Sequence, residues 1–271
     1  GSGKTRVITH RMAYMLQEGI PQSSILALTF TNKAAREMEE RVKSLTRKKL
    51  TNLTVSTFHA FGVKVLRHSI HRLGFRENFS IYDQGDQISL IKETAREIRL
   101  APESLELSKM VSLFSAVKTG RKTWDSMNDM FRPLYEEYQS HLKVYNAVDF
   151  DDLITLPIQI LRTFPDVLEE YRTRYKYIMV DEFQDTSMNQ YDFMKFLADG
   201  SRNICVVGDD DQSIYSWRGA NYENLLRFER DYPELAEIKL EQNYRSTGTI
   251  LAAANGVISH NRNRKVKELW T

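Results

Sequence analysis

The chain has 271 residues, 41% hydrophobic and 27% charged, ordinary proportions for a globular protein with room for one large domain or two modest ones. Its 38 basic residues stand against 36 acidic ones, so the net charge of +2 excludes a global basic field, and any nucleic-acid surface must be local. A single cysteine, Cys205 in the apolar run Ile204-Cys205-Val206-Val207, excludes an internal disulfide and a cysteine-based zinc site; with no apolar run near membrane-span length and no charged-then-apolar signal at the start, the expectation is no membrane and an intracellular, reducing compartment.

Taken in chain order, Val7, Ile8, Met12, Met15 and Leu16 recur at helical spacing before Gly19, which predicts a helix over 4–18 fed by a glycine-containing loop. Residues 25–30 form a short apolar, strand-like run. Thr31 or Asn32 then offers a cap, and Ala34, Met38, Val42 and Leu45 make a helical stripe. The strand-then-helix unit recurs at 54–57 with 58–67, at 177–180 with 187–197, and at 204–207 with a later helix. Such alternation predicts an α/β fold with a parallel sheet covered by helices on both faces. Between 80 and 146 strand signals give way to helical, polar text with Ile88, Ile91, Ala95 and Ile98 as one stripe, which reads as an inserted helical subdomain. Residues 237–240 look like one more strand, 247–258 like a helix, and the basic stretch 262–267 like a solvated face.

Three segments carry chemistry. Gly1-Ser2-Gly3-Lys4-Thr5 matches the second half of a phosphate-binding loop, whose glycines turn backbone N–H groups toward phosphate while lysine reaches the terminal phosphates and threonine holds magnesium. Taken alone it also fits a cloning remnant. The strand-like Tyr177-Ile178-Met179-Val180 delivers Asp181 and Glu182 to its C-terminal end, where open α/β sheets bind ligands. Asp181 there would help hold magnesium and Glu182 would take a proton from an attacking water; the alternative is a solvated acidic turn. In Gly208-Asp209-Asp210-Asp211-Gln212-Ser213-Ile214-Tyr215-Ser216-Trp217-Arg218-Gly219 a side-chain amide precedes two large aromatics, which suits one end to phosphate and the other to stacking on bases. The competing reading makes Trp217 a core anchor and the aspartates a turn or a metal site.

These segments together resemble superfamily 1A helicases of the UvrD/Rep/PcrA kind, whose ordered motifs are recognisable from Gly1 to Ser246. Leu28-Thr29-Phe30-Thr31-Asn32-Lys33-Ala34-Ala35 is similar to motif Ia and Thr57-Phe58-His59-Ala60-Phe61 to motif Ib. Val180-Asp181-Glu182-Phe183-Gln184-Asp185 resembles the family's Walker B segment, the stretch around Gln212 its motif III, and Gln242-Asn243-Tyr244-Arg245-Ser246 its motif IV.

The resemblance implies a RecA-like P-loop domain 1A over 1–79 and 147–236, a helical subdomain 1B over 80–146, and the start of a second RecA-like domain, 2A, over 237–271. It implies ATP and Mg2+ as cofactors, DNA that is single-stranded or carries a single-stranded tail as partner, 3′ to 5′ movement, and a place in bacterial cytoplasm near the nucleoid. On matching positions, Gly1, Ser2, Gly3, Lys4 and Thr5 would cradle phosphates, Thr5 and Asp181 the magnesium, Arg6 would lie near the nucleoside and Tyr244 on adenine. Lys4, Glu182, Gln212 and Arg245 would form the catalytic set, with Arg245 reaching the γ-phosphate from across the cleft. Phe30, Thr31, Asn32, His59, Tyr215 and Trp217 would touch the DNA strand. The family's adenine-reading glutamine, the first half of its phosphate loop and its motifs V and VI are not found in this sequence, so the expectation is a motor portion inactive by itself. Two neighbouring readings stay open: the motor of a recombination helicase–nuclease, and a non-enzymatic single-strand-binding module. A third, a P-loop NTPase that does not act on nucleic acid, would make Tyr215 and Trp217 core residues.

Overall fold

The computed structural model describes residues 2–213, 223–261 and 265–271. Along the chain run α1 (Lys4–Gln17), β1 (Ile25–Thr29), α2 (Asn32–Thr46), β2 (Thr54–Thr57), α3 (Phe58–Ser69), β3 (Ser80–Tyr82), α4 (Gln84–Glu97), α5 (Leu107–Lys118) and α6 (Arg132–Val144). There follow β4 (Ala147–Asp149), α7 (Asp152–Thr163), α8 (Pro165–Arg174), β5 (Tyr177–Val180), α9 (Met188–Ala198), β6 (Ile204–Val206), α10 (Glu223–Asp231) and α11 (Gly248–Ile258). The chain divides into two compact units, one of Gly1–Phe58 with Glu169–Thr271 and the other His59–Leu168.

In the first unit a four-stranded sheet runs in the order β2-β1-β5-β6, every pairing parallel. All five residues of β1 are buried, as expected for a central strand that helices cover on both faces. The registers Ala27 to Val55 and Ala27 to Met179 align the C-terminal ends of the three strands, so the loops after Thr29, Thr57 and Val180 emerge on one edge of the sheet. Ile8, Met12, Met15 and Leu16 of α1 and Met38 and Val42 of α2 pack on Ile25, Ala27 and Met179. Caps punctuate these helices where the sequence offers them: the Thr31 hydroxyl accepts from the Ala34 N–H, and Ser187 and Gln190 form a capping box on α9.

The second unit is mainly helical. Leu90, Ile91 and Ala95 of α4, Met110 and Phe114 of α5, and Leu134, Tyr138 and Leu142 of α6 form its core. The buried stripe centres on Leu90, Ile91, Thr94 and Ala95, a turn that leaves Ile88 and Ile98 at its margins. One correction concerns Ser80–Tyr82, which the sequence reading placed in purely helical text: it is a short strand paired in parallel with Ala147–Asp149, apart from the main sheet. This unit is also wider than 80–146. Gly62 of α3 lies so close to α7 that a Cβ there would sit 1.8 Å from the Leu153 carbonyl oxygen, which binds the flanking helices into the same body. Inside it, Lys118 is 7% exposed and ion-paired to Asp149 at 2.5 Å and Asp152 at 3.0 Å, while the Tyr138 hydroxyl donates to Asp149 at 3.1 Å.

A second correction concerns 237–240, where an additional strand was expected. No strand forms there; the neighbouring Gln242 instead makes an isolated parallel bridge to Trp270. The backbone bonds at that bridge run from the Asn243 N–H to the Trp270 carbonyl and from the Trp270 N–H to the Glu241 carbonyl, so the pairing begins only after residue 240.

Candidate functional site

The β1, β5 and β6 ends carry the site. Gly3 takes φ +86°, a left-handed conformation open to glycine, and hands the chain to α1 with no side-chain cap, so the first-turn amides of that helix point outward as donors. Lys4 and Thr5 occupy that first turn. The Thr5 hydroxyl donates to Asp181 Oδ2 at 2.9 Å, which places it beside the carboxylate that ends β5. Burial pushes the Asp181 carboxyl above its ordinary range, the Thr5 hydrogen bond pulls it back, and neighbouring Glu182 pushes it up again. A hydroxyl and a carboxylate as adjacent hard oxygens are the donor set that suits magnesium.

Glu182 has φ 51° and ψ 43°, left-handed backbone that costs a residue bearing a Cβ on the order of 1–3 kcal/mol. The strain is balanced by hydrogen bonds: the Glu182 N–H donates to Asp181 Oδ1 at 2.9 Å, and Gln184 Nε2 donates to Glu182 Oε2 at 2.7 Å. Gln184, 2% exposed, also accepts the Asp209 N–H on its Oε1 at 3.0 Å, so one side chain ties the loop after β5 to the loop after β6. Gly208 makes that approach possible, since a Cβ there would fall 2.9 Å from Gln184 Oε1. Asp185 lies alongside with one buried oxygen, Oδ1, that has no hydrogen-bond partner among the described residues; burial first and then Glu182 push its carboxyl up to about 6.

Asp209 is the hub. Its Oδ2 faces Lys4 Nζ at 3.6 Å and accepts from Gln212 Nε2 at 2.6 Å, and its Oδ1 meets Lys267 Nζ at 2.5 Å. A cavity of about 260 Å³ opens here, lined among others by Ser2, Lys4, Asp209, Gln212, Asn243 and Lys267. Lys4, Thr5, Asp181, Glu182 and Gln212 are thus brought within one hydrogen-bonded and ion-paired group, linked through Gln184 and Asp209.

Other expected site residues fall elsewhere. Tyr244, 72% exposed, donates its hydroxyl to Gln242 at 2.9 Å, and exposed Arg245 and half-buried Ser246 give their backbone N–H groups to the Asn243 side chain at 2.8 and 2.9 Å. No contact joins Tyr244 or Arg245 to Lys4 among the described residues. Arg6 is exposed on α1, whereas half-buried Ser2 lines the cavity with Lys4. Phe30 is half-buried with its ring 5.5 Å from that of buried Phe58, beside exposed Thr31 and Asn32 at the mouth of α2. His59, in the other unit, stacks on exposed Phe150 with ring centroids 4.1 Å apart, and burial pulls its imidazole down to about 4. Gly1, Tyr215 and Trp217 lie outside the described residues.

Sequence reasoning missed Gln184, Asp209 and Lys267. The first two were visible only as polar residues in the loops after apolar strands, and no local pattern reveals that their partners lie as far as 205 positions away. The stretch expected to be a solvated basic face is corrected at its two described lysines, because Lys265 and Lys267 are engaged with carboxylates.

A family model described as the UvrD/REP helicase N-terminal domain matches residues 1–233. The chain is similar to proteins named ATP-dependent DNA helicase PcrA, at 47% identity in Staphylococcus aureus and 46% in both Bacillus subtilis and Staphylococcus epidermidis, each over 280 aligned residues. Each alignment covers 100% of this chain, which spans 38% of the length of those relatives.

Proposed function

The chain belongs to the UvrD/REP helicase family, and from that premise we propose that it is the nucleotide-binding motor portion of a helicase that uses ATP to move 3′ to 5′ along single-stranded DNA in the bacterial cytoplasm. The observation that carries the proposal is the meeting of Lys4, Thr5, Asp181, Glu182 and, through Asp209, Gln212 at the C-terminal ends of parallel strands. That is where open α/β sheets bind nucleotides. In this reading residues 1–79 and 147–236 act as domain 1A, 80–146 as 1B, and 237–271 as the start of 2A.

Each residue has a task there. Gly3 leaves the α1 amides facing phosphate, with Gly1 and Ser2 completing the loop, and Lys4 leaves Asp209 to meet the terminal phosphates. Thr5 and Asp181 hold the metal, which when bound spreads the charge developing on the phosphate oxygens. Glu182, oriented by Gln184, takes the proton of the attacking water. Gln212 senses the phosphate end of its loop, while Tyr215 and Trp217, five or fewer residues away, stack on bases; Phe30, Thr31 and Asn32 contact the strand, as does His59. Arg6 and Tyr244 attend the nucleoside, and Arg245 reaches the γ-phosphate once a second domain closes on the first.

The test has two parts. Equilibrium binding of a fluorescent ATP analogue with Mg2+ to this chain should be weak and should be lost in Lys4→Ala, while hydrolysis by the 271 residues alone stays negligible. In a longer protein containing this chain, single-stranded DNA should stimulate hydrolysis, and Glu182→Gln should abolish hydrolysis while keeping nucleotide binding. Binding that is indifferent to Lys4→Ala sinks the proposal.

A further inference from the structure

Asp209, Asp210 and Asp211 stand in a row directly after β6, and two lysines from opposite ends of the chain meet them. Lys267 Nζ contacts all three: Asp209 Oδ1 at 2.5 Å, Asp210 Oδ1 in close ion pairing, and Asp211 Oδ2 at 3.3 Å. Among the described residues Lys4 is ion-paired to Asp209 alone, at 3.6 Å. Every one of these side chains is at most 17% exposed, so the charges act on one another with little screening.

Lys267 is not a loose surface side chain. Its segment is fastened by the Lys265 N–H to Asp210 Oδ2 at 2.6 Å and by Lys265 Nζ to Glu229 and, at 2.5 Å, Glu237. Further along, Trp270 N–H donates to the Glu241 carbonyl at 3.1 Å and Asn243 N–H to the Trp270 carbonyl at 2.7 Å. Those bonds join it to the stretch that carries Tyr244 and Arg245. Although burial pushes the Asp209 carboxyl up, Lys267, Lys4 and Gln212 together hold it below its ordinary range.

We propose that Lys267 is a positioning residue for the phosphate end of the site: by taking up the charge of Asp209, Asp210 and Asp211 it leaves Lys4 on one long ion pair, from which Lys4 can be transferred to a nucleotide phosphate. The proposal rests on reading Lys4 as a phosphate ligand. Without Lys267, Asp209 faces Lys4 as its remaining lysine partner among the described residues. Lys4 is then held harder and the site repels an anionic ligand more strongly, and both effects weaken nucleotide binding. Asp209 is the residue through which Lys267 acts, since among the described residues it is the carboxylate that meets both Lys4 and Lys267.

The experiment uses the 271-residue chain and two readouts. The first is affinity for a fluorescent ATP analogue with Mg2+. The second, independent of nucleotide, is the rate at which the Lys4 amine is acylated by a small anhydride, followed by mass spectrometry. In Lys267→Ala, affinity should fall about tenfold, the scale of losing one hydrogen bond between charged groups, and Lys4 acylation should slow several-fold. Lys267→Arg should retain both. Adding Asp209→Asn to Lys267→Ala should restore Lys4 reactivity and most of the affinity. Unchanged Lys4 reactivity in Lys267→Ala overturns the proposal, as does a loss that Asp209→Asn fails to reverse, which would assign Lys267 to tail packing alone. If the wild-type chain and Lys4→Ala bind the analogue equally, the nucleotide reading fails, while the acylation rates still decide whether Lys267 governs Lys4.

Discussion

Replacing Gln184 by leucine isolates the link between the loop after β5 and the loop after β6. The wild-type side chain is 2% exposed and donates to the Glu182 carboxylate at 2.7 Å while accepting the Asp209 N–H at 3.0 Å. A hydrogen bond to a charged acceptor contributes about 1.5–3 kcal/mol and one to a neutral amide about 0.5–1.5 kcal/mol. The Asp185 contact, at 3.4 Å, is too long to add much. Burying leucine in place of the amide returns about 1 kcal/mol of apolar transfer, so the net loss should be about 2–3 kcal/mol. In thermal unfolding followed by circular dichroism, that corresponds to a fall in Tm of about 5–10 °C. Gln184→Glu is the sharper variant, because it keeps the shape and sets a second carboxylate against Glu182. Its penalty should grow as pH rises above the carboxylate range and shrink as pH falls, since protonation restores a donor. In a longer protein that hydrolyses ATP, Gln184→Leu should lower kcat and leave nucleotide affinity nearly unchanged. A leucine variant within about 0.5 kcal/mol of wild type, the spread of a neutral surface change, or a glutamate variant indifferent to pH, would refute the reasoning.

Gly208→Ala should cost about 1–3 kcal/mol, because its Cβ would meet Gln184 Oε1 at 2.9 Å and the Gln184 backbone nitrogen at 3.2 Å; combining it with Gln184→Leu should be less than additive in urea unfolding. Lys118→Met leaves Asp149 and Asp152 facing each other without their cation and should destabilise the helical unit by about 3–5 kcal/mol, with Asp152→Asn in the same chain recovering part of it. His59 titrates near 4 in the fold, depressed by burial from 6.5, so the stability its neutral ring contributes is present above pH 6.5 and is lost as pH falls toward 4; His59→Gln should flatten that part of the stability profile, measured as urea midpoints from pH 7 to pH 4. In a longer protein, Trp217→Ala should weaken single-strand affinity by about 1–3 kcal/mol with basal ATP hydrolysis kept, whereas Gln212→Ala should keep affinity and blunt stimulation by DNA; equal losses of the same property in both variants would show that the loop has no two separate ends.

Much of the first unit was legible because its signals are local. The run Ile25-Leu26-Ala27-Leu28 has the composition of a strand buried on both faces, Thr31 is a cap three residues before the N–H it binds, and the Val180-Asp181-Glu182 edge places carboxylates where a parallel strand must end. Alternation of such units determines an α/β class without reference to coordinates. The helical character of the second unit was equally readable from period and polarity.

Only tertiary structure decided which loops meet and which charges pair. Strand order β2-β1-β5-β6 results from crossovers whose partners are distant in sequence, with Ala27 beside Met179, and no local pattern encodes that choice. The short pair Ser80–Tyr82 with Ala147–Asp149 escaped notice because three-residue strands carry too little periodicity to stand out from helical text. For the same reason Lys267 read as a solvated basic residue: composition cannot distinguish a lysine facing water from one held against Asp209, Asp210 and Asp211. The sequence determined which chemical groups emerge at the strand ends. Packing determined that Gln184 joins two of those loops and that Asp209 holds Lys4, Gln212 and Lys267 at once, because hydrogen bonds and ion pairs depend on distance in space rather than along the chain.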